Sequence, residues 1–489
     1  MTGPRRNKGR IGGPEDFFKM LSAAGLKERI FFTLGVILLY RAGVHIPLPG
    51  VDSTAFLKHP EYAQSLLGMV DLFTGGALNK LSIFSLGIGP YITASIIMQL
   101  MTAVLPNLED LQKNQGEQGR KKLQQHTRVL TVVISILQSM MLSNVLMKIQ
   151  APPVVLTPGP LFVLTSAIIM TGSAVFIMWL GEVITERGVG NGASLLIFLG
   201  IVARLPVMVR NTFDAVQTGQ CPPWGVTVLC LLFLGLAALI VLLQQGVRKI
   251  MVLGARRNVG RQVFVAAPDD YLYLPINPSG VMAIIFASSL LMFPTTVMQF
   301  VNQQKGAKDP GTAVYELIAG IPAIGTGFEQ MCKQTWAQDA WSFITLEFSH
   351  LFSYYKWEHS AIYLVLIIFF AYFYASLILQ PADMAENLRR QGRAIQNVRP
   401  GRPTAEFLED TLSRLVFIGA TVIGLVAIVP IHAEQWTQVT TLQGLGSTSL
   451  IILVGVAIDT SKQIKTHALS ARYQARGLFR SQEKERSTI

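Results

Sequence analysis

Residues 81–105 read LSIFSLGIGPYITASIIMQLMTAVL, a run of 25 residues without any Asp, Glu, Lys or Arg. An α-helix needs about 20 apolar residues to cross the roughly 30 Å hydrocarbon core of a bilayer. The run is long enough, but Gly87, Gly89 and Pro90 interrupt it near its start. Interrupted spans are tolerated only where the backbone is buried in protein or lines a wet cavity. The stretch therefore predicts a membrane bundle with a central passage.

Nine further apolar segments lie on either side of this stretch. The chain has 489 residues, of which 51% are hydrophobic and 14% are charged, whereas soluble proteins carry roughly 25% charged residues. This composition argues against a water-soluble enzyme and favours an all-α integral membrane protein with ten transmembrane helices. The ten predicted spans are 29–47, 81–105, 127–148, 160–181, 192–210, 224–244, 279–301, 360–380, 411–431 and 444–460.

The basic residues are divided unevenly between the two sides of the predicted bundle. The chain has 41 Lys and Arg residues and a net charge of +12. One alternate set of loops, which includes both termini, holds 30 of these basic residues, and the other set holds 8. Basic loops are retained in the cytoplasm. The arm 1–28 and the tail 461–489 are therefore predicted to be cytoplasmic, and 302–359 is the one long outer loop.

The predicted spans offer few groups for catalysis or ion coupling. Arg41 is the main ionisable residue away from a span end, whereas ion-coupled transporters usually need charges inside the membrane. No P-loop or HExxH motif occurs, and the three cysteines form no CxxC pair, so no metal site or cofactor is predicted. Glu182 and Glu186 lie one helical turn apart, and beside Arg187 they are predicted to form a solvated helix cap rather than an acid pair.

Five longer blocks resemble the SecY family of protein-conducting channels, in the order and spacing of that family. The first, DLFTGGALNKLSIFSLGIGPYITASIIMQLMTAVLP, resembles the plug and the second span of the channel. The resemblance extends over nearly the whole chain, from about Leu26 to about Thr460. The five blocks are Asp71–Pro106, Met178–Pro206, Gly280–Pro294, Ala382–Gly401 and Gly446–Asp459.

The resemblance implies a SecY-type channel built from two pseudo-symmetric, inverted halves of five spans each. The halves would be 29–210 and 224–460, joined by an external hinge loop at 211–223. Inverted repeats are common in transport proteins. The implied function is that of the central subunit of a Sec translocon, a passive channel for unfolded secretory proteins that also releases transmembrane segments sideways into lipid.

An apolar ring suits such a pore, because it holds no fixed charge to trap a substrate and closes by dewetting. The resemblance places the ring on the second, fifth, seventh and tenth spans, whereas periodicity alone would make its members ordinary packing residues. Ala193 departs from the family, in which a larger aliphatic residue is usual, so we expect a leakier ring or compensation by the plug. The ring residues are Ile88, Ile92, Ala193, Ile197, Ile285 and Ile452.

The segment 62–76 resembles the plug, a short amphipathic helix with an exit at Gly75 and Gly76 that would let it swing aside. Without the resemblance, an ordinary surface helix in an outer loop fits the pattern equally well. The apolar residues expected to seat beneath the ring are Leu66, Leu67, Met69, Val70, Leu72 and Phe73.

Sideways release requires a seam that faces lipid, and the resemblance places this lateral gate between the second and third spans and the seventh and eighth. Small polar groups there would form weak interhelical hydrogen bonds, of about 0.6 to 2 kcal/mol each. Simple helix packing is the alternative explanation for them. The candidate gate residues are Thr93, Ile97, Gln138, Ser288, Ser289 and Phe293.

Two cytoplasmic loops, 245–277 and 381–410, each carry five basic residues. Topology retention or attraction to anionic lipid would explain them, and so would contact with ribosomal phosphates. In the family both loops serve the ribosome and the SecA ATPase in turn, and Arg399 is the single docking residue favoured here. The docking candidates are Arg248, Lys249, Arg256, Arg257, Arg261, Arg389, Arg390, Arg393, Arg399 and Arg402.

The resemblance also implies the partners. SecE-like and SecG-like small membrane subunits, assemblies of several such heterotrimers, and SecA or the ribosome as the energy source are expected, with unfolded polypeptides and signal sequences as substrates. The expected location is the cell inner membrane, and the alternative is a thylakoid membrane. A small-solute transporter and an intramembrane enzyme are the rival functions, and they would need midplane ionisable ligands or a nucleophile–base constellation.

Overall fold

The structure is a computed structural model that describes residues 26–57, 71, 74–113, 116–149, 153–254, 257–259, 262–264, 270–291, 357–437, 439 and 447–486. Within these ranges the chain is a helical bundle with five short strands. The helices are α1 (Leu26–Gly43), α2 (Ser53–Leu57), α3 (Gly89–Val104), α4 (Pro106–Lys113), α5 (Gly116–Lys148), α6 (Pro160–Arg187), α7 (Gly192–Gln217), α8 (Pro223–Gln245), α9 (Met282–Leu291), α10 (Trp357–Ile378), α11 (Pro381–Arg390), α12 (Arg402–Thr437) and α13 (Ser447–Arg486). The strands are β1 (Val247–Gly254), β2 (Arg257–Val259), β3 (Gln262–Phe264), β4 (Asp270–Pro275) and β5 (Arg393–Ile395).

Each of the ten predicted spans contains a helix. Among the described residues, six helices are long and apolar enough to cross a membrane by length and composition, namely α5, α6, α7, α8, α10 and α12. Helix α3 is shorter than the predicted span 81–105, because it begins only at Gly89, with Pro90 in its first turn. Proline is tolerated there because the first N–H groups of a helix have no partner within it. The interruption predicted from the sequence is therefore present at the start of this span.

Helices α5 and α6 pack through small hydroxyl side chains. Ser139 and Ser143 of α5 are fully buried. The Ser143 hydroxyl lies 2.6 Å from that of Ser166, and the Ser139 hydroxyl lies 3.3 Å from that of Thr171. Small residues let two helix backbones approach closely inside a membrane, where no hydrophobic force drives helices together. This contact fixes α6, which supports the pore region described below.

Two elements run farther than the sequence predicted. Helix α7 continues to Gln217, so only residues 218–222 separate it from α8 and the expected hinge loop 211–223 is helical in its first half. Helix α13 has 40 residues, a length of about 60 Å at 1.5 Å per residue, so the tail 461–489 is helical as far as Arg486. Apolar contact among Leu26, Val189 and Ala468 holds the base of this extension against α1.

The two basic loops, 245–277 and 381–410, share a three-stranded antiparallel sheet with the strand order β4-β1-β5. Val252 of β1 pairs with Ile395 of β5, and Arg248 of β1 pairs with Leu274 of β4. The buried side chains of Ile250, Leu274 and Ile395 pack with leucines of α12 in one cluster. The two loops are thus one body, which the sequence did not predict.

Candidate functional site

The predicted ring residues meet in the largest apolar cluster of the described chain. Ile88, Ile197, Ile285 and Ile452 come from the start of α3, from α7, from α9 and from α13, and they are at most 5% exposed. Ile92 and Ala193 are partly buried and pack against the same cluster. All six residues, from four separate elements, therefore belong to one apolar cluster. Their role as the pore ring stays a prediction.

A close crossing of α6 and α7 positions two members of this ring. An ideal Cβ built on Gly192 would stand 2.9 Å from the Gly181 Cα and nearer still to its carbonyl, so only glycine fits there. The Thr185 hydroxyl donates to the Gly181 carbonyl and accepts from the Gly192 N–H, both at 2.9 Å. A Cβ on Gly181 would lie 3.6 Å from Ala193 N and 3.7 Å from Ile88 Cδ1. Ring residues of α3 and α7 thus meet over Gly181.

The start of α7 is fixed by its own cap. The Asn191 carboxamide oxygen accepts from the N–H groups of Ala193 at 3.1 Å and Ser194 at 3.4 Å. Such a side chain satisfies N–H groups that otherwise have no partner in the helix. The cap and the close crossing together determine where Ala193 lies.

Four residues of the predicted plug, Asp71, Thr74, Gly75 and Gly76, lie in the described part of the chain, and we call them the plug exit. The Tyr40 hydroxyl donates to the Thr74 carbonyl at 3.2 Å, and the Arg41 guanidinium donates to the Gly75 carbonyl at 3.1 Å. Both glycines have left-handed backbone conformations, with φ of 69° and 89°. The other plug candidates lie outside the described residues: Leu66, Leu67, Met69, Val70, Leu72 and Phe73.

Arg204 of α7 is a charged residue that the sequence reasoning assigned wrongly. The predicted outer set of loops, with its 8 basic residues, includes Arg204, but this residue lies within α7, and its guanidinium contacts the Asp71 carboxylate at 2.5 Å. Asp71 is fully buried. The position of Arg204 inside the apolar segment 192–210 was the signal that could have revealed it, because an arginine inside a span usually pairs with a carboxylate or a carbonyl.

Glu182 is also placed differently from the prediction of a solvated cap. Its side chain is 8% exposed and lies 2.8 Å from the Arg128 guanidinium of α5, while the Gln124 amide donates to it at 3.0 Å. The prediction was wrong for Glu182 because α5 extends alongside the end of α6 and covers it. Glu186 is exposed, as a cap residue would be. In the described residues, no group of three or more His, Cys, Asp or Glu side chains could hold a metal ion.

The lateral-gate candidates that the structure describes are half-buried or exposed. The Thr93 hydroxyl donates to the Gly89 carbonyl at 3.2 Å, and the Ser288 hydroxyl donates to the Ile285 carbonyl at 3.0 Å. Both hydrogen bonds lie within the residue's own helix, so these hydroxyls are not committed to a neighbouring helix. Ile97 is 38% exposed. The remaining candidates are Gln138 and Ser289, which are half-buried, and Phe293, which lies outside the described residues.

The docking candidates differ in how they are engaged. Arg389 and Arg390 both contact Glu386, at 2.9 and 3.2 Å, and Arg402 contacts Glu406 at 3.0 Å. The hydrogen bonds from the two arginines hold the pKa of the exposed Glu386 carboxyl below its usual value. Arg399 is exposed, and no carboxylate in the described part of the chain pairs with it.

The remaining docking candidates lie on the strands or outside the described residues. Arg248 and Lys249 are exposed on β1, and Lys249 Nζ lies 5.8 Å from the centre of the Tyr273 ring. Arg257 belongs to β2 and the exposed Arg393 to β5. Arg256 and Arg261 lie outside the described residues.

Comparison with known proteins identifies relatives over nearly the full chain. The family model SecY matches residues 82–461. The Protein translocase subunit SecY of Synechococcus elongatus is 41% identical over 464 residues, which cover 94% of this chain and 96% of that protein.

Two solved channels have the same fold. A SecY channel, described as one whose plug domain stabilises the closed state and maintains a membrane seal, has a TM-score of 0.59 at 16% identity and covers 91% of this chain and 93% of its own. Sec61 from a canine ribosome–channel complex has a TM-score of 0.52 at 14% identity, with coverage of 91% and 93%.

Proposed function

The chain belongs to the SecY family, and from this premise we propose how its residues serve a multi-pass protein-conducting channel, the central subunit of a Sec translocon. The channel passes unfolded proteins across the membrane and releases membrane-spanning segments sideways into lipid. The observation that carries the assignment of the pore is the convergence of six small or aliphatic side chains from α3, α7, α9 and α13 in one cluster.

The ring works through the absence of charge and hydrogen-bonding groups. A narrow apolar constriction excludes water when it is empty, and it binds no polar or charged side chain tightly as a polypeptide slides past. Ile88, Ile197, Ile285 and Ile452 are all at most 5% exposed. Ala193 contributes less volume, so the plug carries more of the seal next to α7.

Two lateral-gate hydroxyls in the described part of the chain do not bridge the gate. Thr93 and Ser288 donate within their own helices, so parting α3 from α9 breaks neither hydrogen bond. Interhelical hydrogen bonds in membranes are weak in any case. A hydrophobic segment that enters the pore can therefore leave between these helices without breaking the hydrogen bonds of Thr93 or Ser288.

The chain itself supplies no chemical energy in this proposal. The sheet β4-β1-β5 joins both basic loops, so a motor such as SecA or a ribosome that grips one loop also moves the other. Sec61, a structural neighbour, belongs to a ribosome–channel complex, and this supports a ribosome as one partner of the channel. SecE-like and SecG-like subunits complete the channel, which lies in the cell inner membrane with both termini in the cytoplasm.

The pore assignment is tested by cross-linking a polypeptide in transit. Cys221, Cys230 and Cys332 are replaced by Ser, and a stalled substrate with one cysteine is then oxidised against Ile197→Cys or against Ile168→Cys. Ile168 is a matched control, because it is 64% exposed on α6 outside the ring. We expect disulfide formation with the Ile197 variant only. Equal cross-linking at both positions, or none at Ile197 during transport, would contradict the proposal.

A further inference from the structure

We propose that Arg204 is a positioning residue that holds the plug exit against α7 in the resting channel, through its buried ion pair with Asp71. This inference rests on the proposed channel function and adds a specific latch to it. The guanidinium lies 2.5 Å from Asp71 Oδ2, and the two side chains are 20% and 0% exposed. Charges attract much more strongly in such a water-poor environment than in bulk water. We call the ion pair of Arg204 with Asp71 the latch, because its attraction is lost when the two side chains separate.

Asp71 connects the latch to the fold of the plug exit. Its Oδ1 accepts from the Asn79 N–H at 2.9 Å, and its backbone carbonyl accepts from the Gly76 N–H at 3.1 Å and from the Thr74 hydroxyl at 3.1 Å. The carboxylate therefore organises the turn with one oxygen and contacts Arg204 with the other. If Arg204 is removed, the turn can persist, but it is no longer attached to α7 by charge.

A second contact shows that the plug exit lies directly on α7. An ideal Cβ on Gly75 would stand 2.9 Å from the Gly200 Cα, so the two backbones approach as closely as glycine allows. Gly200 lies one helical turn before Arg204 on α7. The glycine contact brings the plug exit to α7, and the ion pair supplies the directional attraction that keeps it there.

The same helix carries two of the six ring residues, Ala193 and Ile197. Ile197 and Arg204 are seven residues apart and hence lie on one face of α7. When a polypeptide widens the ring by pushing Ile197 outward, α7 moves Arg204 away from Asp71. The latch thus links pore opening to plug release without any separate signal.

The contacts from α1 differ in kind from the latch. Tyr40 and Arg41 donate to the backbone carbonyls of Thr74 and Gly75. These hydrogen bonds do not depend on which side chains the plug exit carries, as long as its backbone path is unchanged. Arg204 instead recognises the side chain of Asp71. The latch therefore depends on charge at two named positions, and this dependence can be tested.

The test measures resting ion conductance of the intact channel complex in planar bilayers, and export of a reporter whose signal sequence is disabled. Arg204→Gln and Asp71→Asn should each raise both readouts about tenfold or more, because loss of the latch shifts the equilibrium from closed to open channels. Arg204→Lys keeps the charge and should restore values close to wild type. Arg210→Gln removes an exposed arginine of the same helix and should change neither readout.

The outcomes separate a latch from a merely structural pair. Wild-type conductance in Arg204→Gln, in a complex that still exports a normal substrate, would overturn the proposal. A leak in Arg204→Lys as large as that in Arg204→Gln would also overturn it, since charge would then not hold the plug. If the Arg204→Gln channel does not assemble, the conductance and export of Asp71→Asn test the proposal by themselves, because this substitution keeps the size of the side chain. Failure of the proposed pore would appear separately, as missing substrate cross-links at Ile197.

Discussion

Replacing Gly192 with Ala should push apart α6 and α7 and loosen the pore ring. The added Cβ would stand 2.7 Å from the Gly181 carbonyl carbon and 2.9 Å from its Cα, whereas ordinary contact begins at 3.4 Å. The carbonyl carbon alone requires the helices to separate by about 0.7 Å, and the Gly181 carbonyl oxygen, which lies nearer still, requires more. All of these are backbone atoms that no rotamer change can move.

The expected energy follows from this clash. Overpacking a tight contact costs about 1 to 3 kcal/mol, and we expect the upper end because both partners are backbone. If opening the ring relieves about 1.4 kcal/mol of this strain, the population of leaky channels rises about tenfold. Ala193 directly follows Gly192, so the displacement of α7 also moves Ala193, the smallest residue of the predicted ring.

The assay combines thermal unfolding of the purified complex with its resting conductance in planar bilayers. Gly181→Ala is the matched control across the same contact, because its Cβ would meet the nearest atoms at 3.6 to 3.7 Å, an ordinary distance. Gly172→Ala, with no atom within 4 Å, controls for helix propensity on α6. A Gly192→Ala channel as stable and as tight as Gly181→Ala would refute the reasoning.

Three further predictions concern charge and volume. Arg128→Gln should lower the free energy of unfolding by about 1 to 2 kcal/mol, less than for a fully buried pair, because Arg128 is 44% exposed. Chemical denaturation measures this change, and Arg120→Gln, at an exposed arginine of α5, is the control. Equal denaturation midpoints for the two variants would show that the ion pair adds no stability. Ala193→Ile should reduce the resting ion leak by filling the ring, and an unchanged conductance would mean that the plug alone makes the seal. Arg399→Glu should abolish SecA-dependent export while the channel still inserts into the membrane. The control is Arg414→Glu, which should export normally, because Arg414 already pairs with Asp410 at 2.9 Å. Wild-type export by the Arg399 variant would exclude Arg399 as a docking residue.

The sequence by itself determined the number and position of the helical spans. Hydrophobic length and loop charge are local properties, because each segment enters the bilayer or stays outside it according to its own composition. The interruption at Gly87, Gly89 and Pro90 was readable for the same reason, since backbone restrictions of glycine and proline act within a few residues. The motif blocks then identified the family and, through it, predicted the six ring residues.

Only the tertiary structure decided which distant groups meet. The ion pairs of Asp71 with Arg204 and of Glu182 with Arg128 join residues far apart in the chain. The position of Arg204 in an apolar segment indicates that it needs a partner, but the sequence does not show which carboxylate either arginine contacts. The glycine contact of Gly192 and the sheet that unites both basic loops are likewise long-range. Such contacts depend on how whole helices and strands pack, and packing is a property of pairs of surfaces rather than of either sequence segment.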